Sequence, residues 1–252
     1  MINLKTEKFS IENIETVLFD KDGTFIDLHY FWGKMTELRA KEIIKRFDLP
    51  KDSLNQLCLF LGYDLETEKM LKDGITALYS RSKIIEIFQQ DLLKLKVETT
   101  QEELAIIFDY VSEQFYKEMV NYTKPIEEAI EFIKKLHNKG IKLGIVTSDS
   151  IESTKLTLNH FGWEYLFGSV VGRECSSQTK ESGALTQIAL AQLNANAKTT
   201  LMIGDAPMDY ISAKNAGIDN IILVATGQLS KEELIDTTFY TVNSLEEVEI
   251  LL

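Results

Sequence analysis

Hydrophobic and polar positions follow two different rhythms along this chain. From about Gly140 onward, short β-branched runs at 141–146, 169–171, 200–203 and 220–224 alternate with stretches of helical periodicity. That alternation predicts βαβ units and a parallel sheet covered on both faces. An earlier apolar run, 15–20, reads as another strand of that sheet. Just before Gly140 a helix is clearly written. Ile126, Ala129, Ile130, Ile133 and Leu136 form one apolar stripe, with Glu127 and Glu128 in the first turn and Lys134, Lys135 and Lys139 toward the end. Pro125 and Gly140 supply its start and stop signals.

Between Phe25 and Lys124 the rhythm is helical, at roughly 31–47, 51–61, 82–95 and 101–121, with almost no strand pattern. The first strand is therefore separated from the next by about a hundred residues, far beyond an ordinary connection. The economical reading is a doubly wound, Rossmann-like α/β core with an all-helical insert. The core takes residues 1–26 and 123–252, and the insert takes 27–122.

Composition narrows the function. A formal net charge of −12 over 252 residues argues against nucleic acid and anionic membrane as partners, since both need a basic face. Cys58 and Cys175 lie far apart in sequence and read as reduced, half-buried residues rather than a disulfide framework. His29, His137 and His160 lack ligand spacing, so a His/Cys zinc site is not expected. With no signal-peptide core and no apolar run of membrane-spanning length, a cytoplasmic protein is expected.

In an open parallel sheet, functional groups lie beyond the carboxyl ends of the strands. Asp20 and Asp22 follow the first strand, then Gly23 and Thr24; Thr147, Ser148 and Asp149 follow 141–146. A polar loop after Val171 reaches Lys180, while Gly204, Asp205 and Asp209 follow 200–203. Four acids, a hydroxyl and a lysine thus converge on one edge. Carboxylates without His or Cys favour a hard cation, Mg²⁺ above all. A lysine opposite such an ion suits phosphoryl transfer, and Asp can accept a phosphoryl group covalently.

Asp20-Lys21-Asp22-Gly23-Thr24 resembles the first motif of the haloacid dehalogenase superfamily. Thr147 resembles the second, Lys180 the third, and Gly204-Asp205-Ala206-Pro207-Met208-Asp209 the fourth. The insertion point matches that of the superfamily's helical type-1 cap, and the resemblance is strongest to the phosphoglycolate-phosphatase-like branch. It implies Asp20 as nucleophile and Asp22 as general acid and base, with the Asp22 carbonyl on the metal. Thr147, with Ser148 as a second hydroxyl, would bind phosphoryl oxygens. Lys180 would neutralise charge, and Asp205 and Asp209 would hold Mg²⁺ with Asp20. Lys180 is followed by Glu181 rather than the frequent Pro, which leaves Arg173 as a weaker candidate for the third motif.

The activity implied is hydrolysis of a small phosphorylated metabolite by a monomer or homodimer. The alternatives are a sugar phosphomutase of the same architecture and a non-catalytic phosphate-ligand-binding member or receiver-like protein. The aromatic run His29-Tyr30-Phe31-Trp32 is expected to pack the insert's own core rather than to touch substrate, and Arg39, Lys72 and Arg81 to be solvated rather than to meet a second anionic group of the substrate.

Overall fold

The computed structural model describes residues 1–251. β1 (Ile2–Lys5), β2 (Ser10–Ile14) and β3 (Thr16–Phe19) come first. Next are α1 (Leu28–Arg46), α2 (Ser53–Phe60), β4 (Tyr63–Asp64), β5 (Lys69–Met70), α3 (Ile75–Leu78), α4 (Arg81–Leu93) and α5 (Gln101–Lys117). The chain continues with α6 (Glu127–Asn138), β6 (Lys142–Val146), α7 (Ile151–Phe161), β7 (Ser169–Val171), α8 (Ala184–Gln192) and β8 (Thr200–Gly204). It ends with α9 (Pro207–Asn215), β9 (Asn220–Val224), α10 (Lys231–Ile235), β10 (Thr241–Val242) and β11 (Glu249–Leu251). Two compact units result: Met1–Asp27 with the chain from Pro125 on, and Leu28–Lys124.

In the first unit six parallel strands are ordered β10-β9-β8-β3-β6-β7. This is the doubly wound sheet that the alternating runs predict. Every residue of β3 and β8 is buried, as strands covered on both faces must be. Val17 and Phe19 join Ile145 and Ile203 on the face packed by α6, while Leu18 joins Met202 and Leu223 on the face packed by α8 and α9. Alternation along a strand thus feeds two separate cores. Chain order reverses at β3, which has β6 on one side and β8 on the other. The carboxyl end of β3 is therefore the place where an open α/β sheet leaves a crevice.

A second sheet, antiparallel and ordered β11-β1-β2, is not predicted by the run pattern. Its strands are three to five residues long, too short for a period of two to rise above the background, although Ile2, Leu4, Ile11 and Ile14 point into the core.

In the second unit, α1, α2, α4 and α5 pack around Ile43, Leu57, Phe88, Leu104 and Phe108. Thr100 caps α5 by accepting a hydrogen bond from the Glu103 amide at 3.1 Å. The unit is not purely helical, because β4 and β5 form a hairpin. Asp64 builds its turn by accepting from the Glu66 amide and the Thr67 hydroxyl, each at 2.9 Å. Phe31 meets Phe115 edge-on at 5.0 Å, so that part of the aromatic run packs the unit's interior. Arg81 is exposed and pairs with Asp109 at 2.7 Å. Arg39 departs from expectation. It is buried, because its position on α1 turns it toward α5 rather than to solvent.

Candidate functional site

The end of β3 is tied down before any side chain acts. The Asp20 amide donates to the Ile203 carbonyl at 2.9 Å, holding the first acid beside β8. The next three residues turn back sharply, with the Thr24, Phe25 and Ile26 amides all directed at the Lys21 carbonyl. Gly23 makes this turn at φ +88°, and a Cβ there would stand 2.4 Å from Asp205 Oδ2. A glycine is needed twice over, for the dihedral and for the closeness of the two acids.

Lys180 sits on a short 3₁₀ turn, Lys180–Ser182, that Gly183 ends at φ +81° before α8. Its ammonium pairs with Asp20 Oδ1 and lies 2.6 Å from Asp209 Oδ1. Asp209 stands in the first turn of α9, where its Oδ2 accepts from the Ala206 amide at 3.1 Å. Asp20, Asp205 and Asp209 are all buried, and each offers a carboxylate oxygen within 4.8 Å of the others. Lys180 therefore joins the acid cluster, whereas Arg173 is exposed and faces Glu174 at 3.6 Å.

Asp22 looks elsewhere. Its Oδ1 accepts from Lys21 Nζ at 2.8 Å, and the same ammonium lies 3.0 Å from Asp149 Oδ2. Asp149 in turn accepts from the Ser153 hydroxyl and the Ser150 amide, both at 2.7 Å. Thr147 is buried after β6, and its hydroxyl oxygen accepts from the Asp149 amide at 3.0 Å. Ser148 is exposed, its hydroxyl 3.7 Å from Met208 Sδ. The first three hydroxyl and carboxyl positions after β6 thus differ sharply in surroundings.

Burial dominates the electrostatics. It pushes the Asp20 carboxyl up to about 7, and the pull of Lys180 is partly undone by Asp209. Burial, then the charges of Asp20 and Asp209, hold the Asp205 carboxyl well above the usual range. Burial also raises Asp22, against the opposing pull of Lys21. For Asp149 burial acts upward as well, but Lys21, the Ser153 hydroxyl and the Ser150 amide outweigh it and hold the carboxyl below normal. Both lysines resist the neutralising effect of burial, because each lies between two carboxylates, and both are held firmly charged.

Five acids, Asp20, Asp22, Asp149, Asp205 and Asp209, thus surround two ammonium groups. With all of them ionised, three negative charges stay uncompensated. The carboxylates that stay crowded, Asp20, Asp205 and Asp209, offer only oxygen donors, so the residues fit a hard divalent cation.

Sequence reasoning overlooked Lys21, which is fully buried between Asp22 and Asp149. A lysine flanked by two strand-end acids is the signal it carried. It also overlooked the turn after β9. Thr226 Oγ1 donates to the Gly23 carbonyl at 2.5 Å, and a Cβ on Gly227 would fall 1.8 Å from Asp205 Oδ2. Nothing in a Thr-Gly pair marks such proximity.

The chain is similar to known proteins. The family model described as haloacid dehalogenase-like hydrolase matches residues 17–223. A phosphoglycolate phosphatase of Psychrobacter arcticus is 27% identical over 213 residues, covering 82% of each chain. Pyrophosphatase PpaX of Bacillus mycoides is 27% identical over 209 residues, again covering 82% of each. A solved structure from Geobacter sulfurreducens, a hydrolase of subfamily IA in the same superfamily, superposes with a TM-score of 0.62 at 20% identity. That match covers 86% of this chain and 89% of the other, and at such identity it speaks for the fold.

Proposed function

The chain belongs to the haloacid dehalogenase-like hydrolase family, and we propose that it is a Mg²⁺-dependent phosphatase of small phosphomonoesters that works through an aspartyl-phosphate on Asp20. The observation that carries this reading is the contact of Lys180 with both Asp20 and Asp209, beside Asp205, at the carboxyl ends of β3 and β8.

In the first half-reaction an Asp20 oxygen attacks phosphorus and the bond to the leaving oxygen breaks. Asp22 gives its proton to the departing alkoxide. Burial shifts the Asp22 carboxyl toward its protonated form, the direction that a proton donor needs. In the second half-reaction Asp22 takes a proton from water as the water attacks the aspartyl-phosphate. Inorganic phosphate leaves and Asp20 is restored. Lys180 and the Thr147 hydroxyl hold the non-bridging oxygens throughout, and Ser148, next to Thr147 in sequence, offers a second hydroxyl. Asp20, Asp205 and Asp209, with the Asp22 carbonyl, would hold Mg²⁺, which when bound neutralises charge on the carboxylates and the phosphoryl oxygens. The unit Leu28–Lys124, inserted between the Asp20 and Thr147 segments, serves in this reading as the cap that sets access to water and substrate.

The relatives named for phosphoglycolate and pyrophosphate put small, highly charged phosphates first among substrates. The test is phosphate release from a panel of such compounds with Mg²⁺ and after chelation. Release that needs Mg²⁺ is the expected result. An isomerised sugar phosphate without free phosphate would replace the phosphatase with a mutase. No reaction with any compound would leave only ligand binding.

A further inference from the structure

Helix α1 carries a buried cation with no paired acid among the described residues. Arg39 is 7% exposed, and its guanidinium lies over the Phe108 ring, 4.5 Å from the centroid. Its Nε has no hydrogen-bond partner among the described residues, and none of their carboxylates forms an ion pair with it. The acids nearby along the unit's helices are already engaged. Glu37 serves Lys34 and Lys41, Glu42 serves Arg46, and Asp109 serves Arg81. One turn before Arg39, Thr36 is fully buried, and its hydroxyl also lacks a partner among the described residues. Residues three apart on a helix share a face, so the two unsatisfied groups are neighbours.

Such a pair is costly. A buried ion without a partner destabilises strongly, and an unbonded buried hydroxyl adds to the penalty. Arg81 adds positive charge to the surroundings instead of relieving it. Burial, reinforced by that second arginine, draws the Arg39 guanidinium down to about 10. A leucine or methionine would pack on Phe108 without either penalty. A charge held there in spite of them fits a partner that arrives from solution.

We infer that Arg39 and Thr36 form an oxyanion subsite in the helical unit, binding a carboxylate or phosphate group through the guanidinium fork and the Thr36 hydroxyl. The fork matches two oxygens of such a group at once. The anion is a free carboxylate or phosphate from solution, so the subsite does not rest on the phosphatase reading.

Thermal melts of wild type and Arg39→Met in inorganic phosphate, and in acetate, against chloride at equal ionic strength test the subsite without turnover. In chloride, Arg39→Met should melt at or above wild type. Oxyanion at about ten times its dissociation constant should raise the wild-type midpoint by about 3–6 °C and that of the variant by clearly less. Any response from the Asp20 cluster is common to both proteins. An equal rise in both overturns the subsite, as does an Arg39→Met midpoint far below wild type in chloride, which would make Arg39 a structural residue. Arg39→Lys keeps the charge without the fork, and an undiminished oxyanion response there overturns the subsite equally.

Discussion

The two units bury charge in opposite ways. At the sheet edge, Lys21 lies between Asp22 and Asp149, and Lys180 lies between Asp20 and Asp209. In the helical unit, Arg39 is buried with no acid paired to it among the described residues. The first region has too much negative charge for its lysines, and the second has a positive charge that no described acid meets. An imbalance that folding alone would remove points to a ligand of opposite sign, a cation in one place and an oxyanion in the other. The scaffolds differ to match. Sheet-edge acids are fixed by backbone bonds to neighbouring strands, such as Asp20 to Ile203, whereas Arg39 is placed only by its helix and the ring beneath it.

The largest effect is expected of Asp20→Asn. Asn keeps the volume and leaves Lys180 with Asp209, so the fold should survive. Phosphate release should fall by about 10⁴-fold or more, the scale of losing a covalent nucleophile. Retention of a tenth of wild-type activity with an unchanged circular dichroism spectrum would remove Asp20 from that role.

Lys21→Met is next in size. It strands Asp22 and Asp149, and breaking a buried pair from one side costs about 3–5 kcal/mol. Asp149→Asn in the same chain should recover part of that loss, because it removes one of the stranded charges. Denaturant unfolding of both single variants and the double variant measures the coupling. Additive losses would mean that Lys21 and Asp149 do not act as a pair.

That pair also marks the boundary of what sequence could reveal. The sheet was legible because β6, β8 and β9 are apolar runs that differ plainly from the helices between them. Asp20, Asp22, Thr147, Lys180, Asp205 and Asp209 drew notice because each follows a strand. Lys21 did not, because its burial depends on Asp149, which is distant in sequence and near only after β3 and β6 pair. Gly227 was hidden for the same reason. Arg39 was misread because helical periodicity gives the spacing of a face but not the polarity of what that face meets.

The titration of the acid cluster gives a comparable effect. A folded Asp20 pKa of about 7 exceeds the unfolded value of 3.8, so the folded state holds its proton more tightly between those pH values. The resulting penalty is absent below about pH 4 and complete above about pH 7, on the order of 4 kcal/mol at most. Asp205 acts in the same direction. Asp149, held low, works oppositely: its contribution is present above its unfolded pKa and is lost only as the pH falls through the lower folded value. The metal-free protein should therefore melt lower at pH 8 than at pH 5, and millimolar Mg²⁺ should restore stability most at pH 8, where the carboxylates are ionised. A midpoint independent of pH and of Mg²⁺ would separate the acid cluster from cation binding.

The smallest effect compares one helix cap in each unit. Thr100 accepts from the Glu103 amide at the start of α5, and Ser150 accepts from the Ser153 amide at the start of α7, both at 3.1 Å. Replacing either with Ala removes the bond and should cost about 1 kcal/mol. Their effects on turnover should part. The Ser150 cap fixes the first turn of α7, which carries the Ser153 hydroxyl bonded to Asp149, so fraying of that turn in Ser150→Ala loosens the strut that holds Lys21 against Asp22. A several-fold fall in kcat with little change in KM is expected. Thr100→Ala lies in the helical unit and touches no acid of the sheet edge, so turnover per folded molecule should stay at the wild-type level. Equal losses of kcat in both variants would mean that stability alone, rather than the aim of Asp22, limits the reaction.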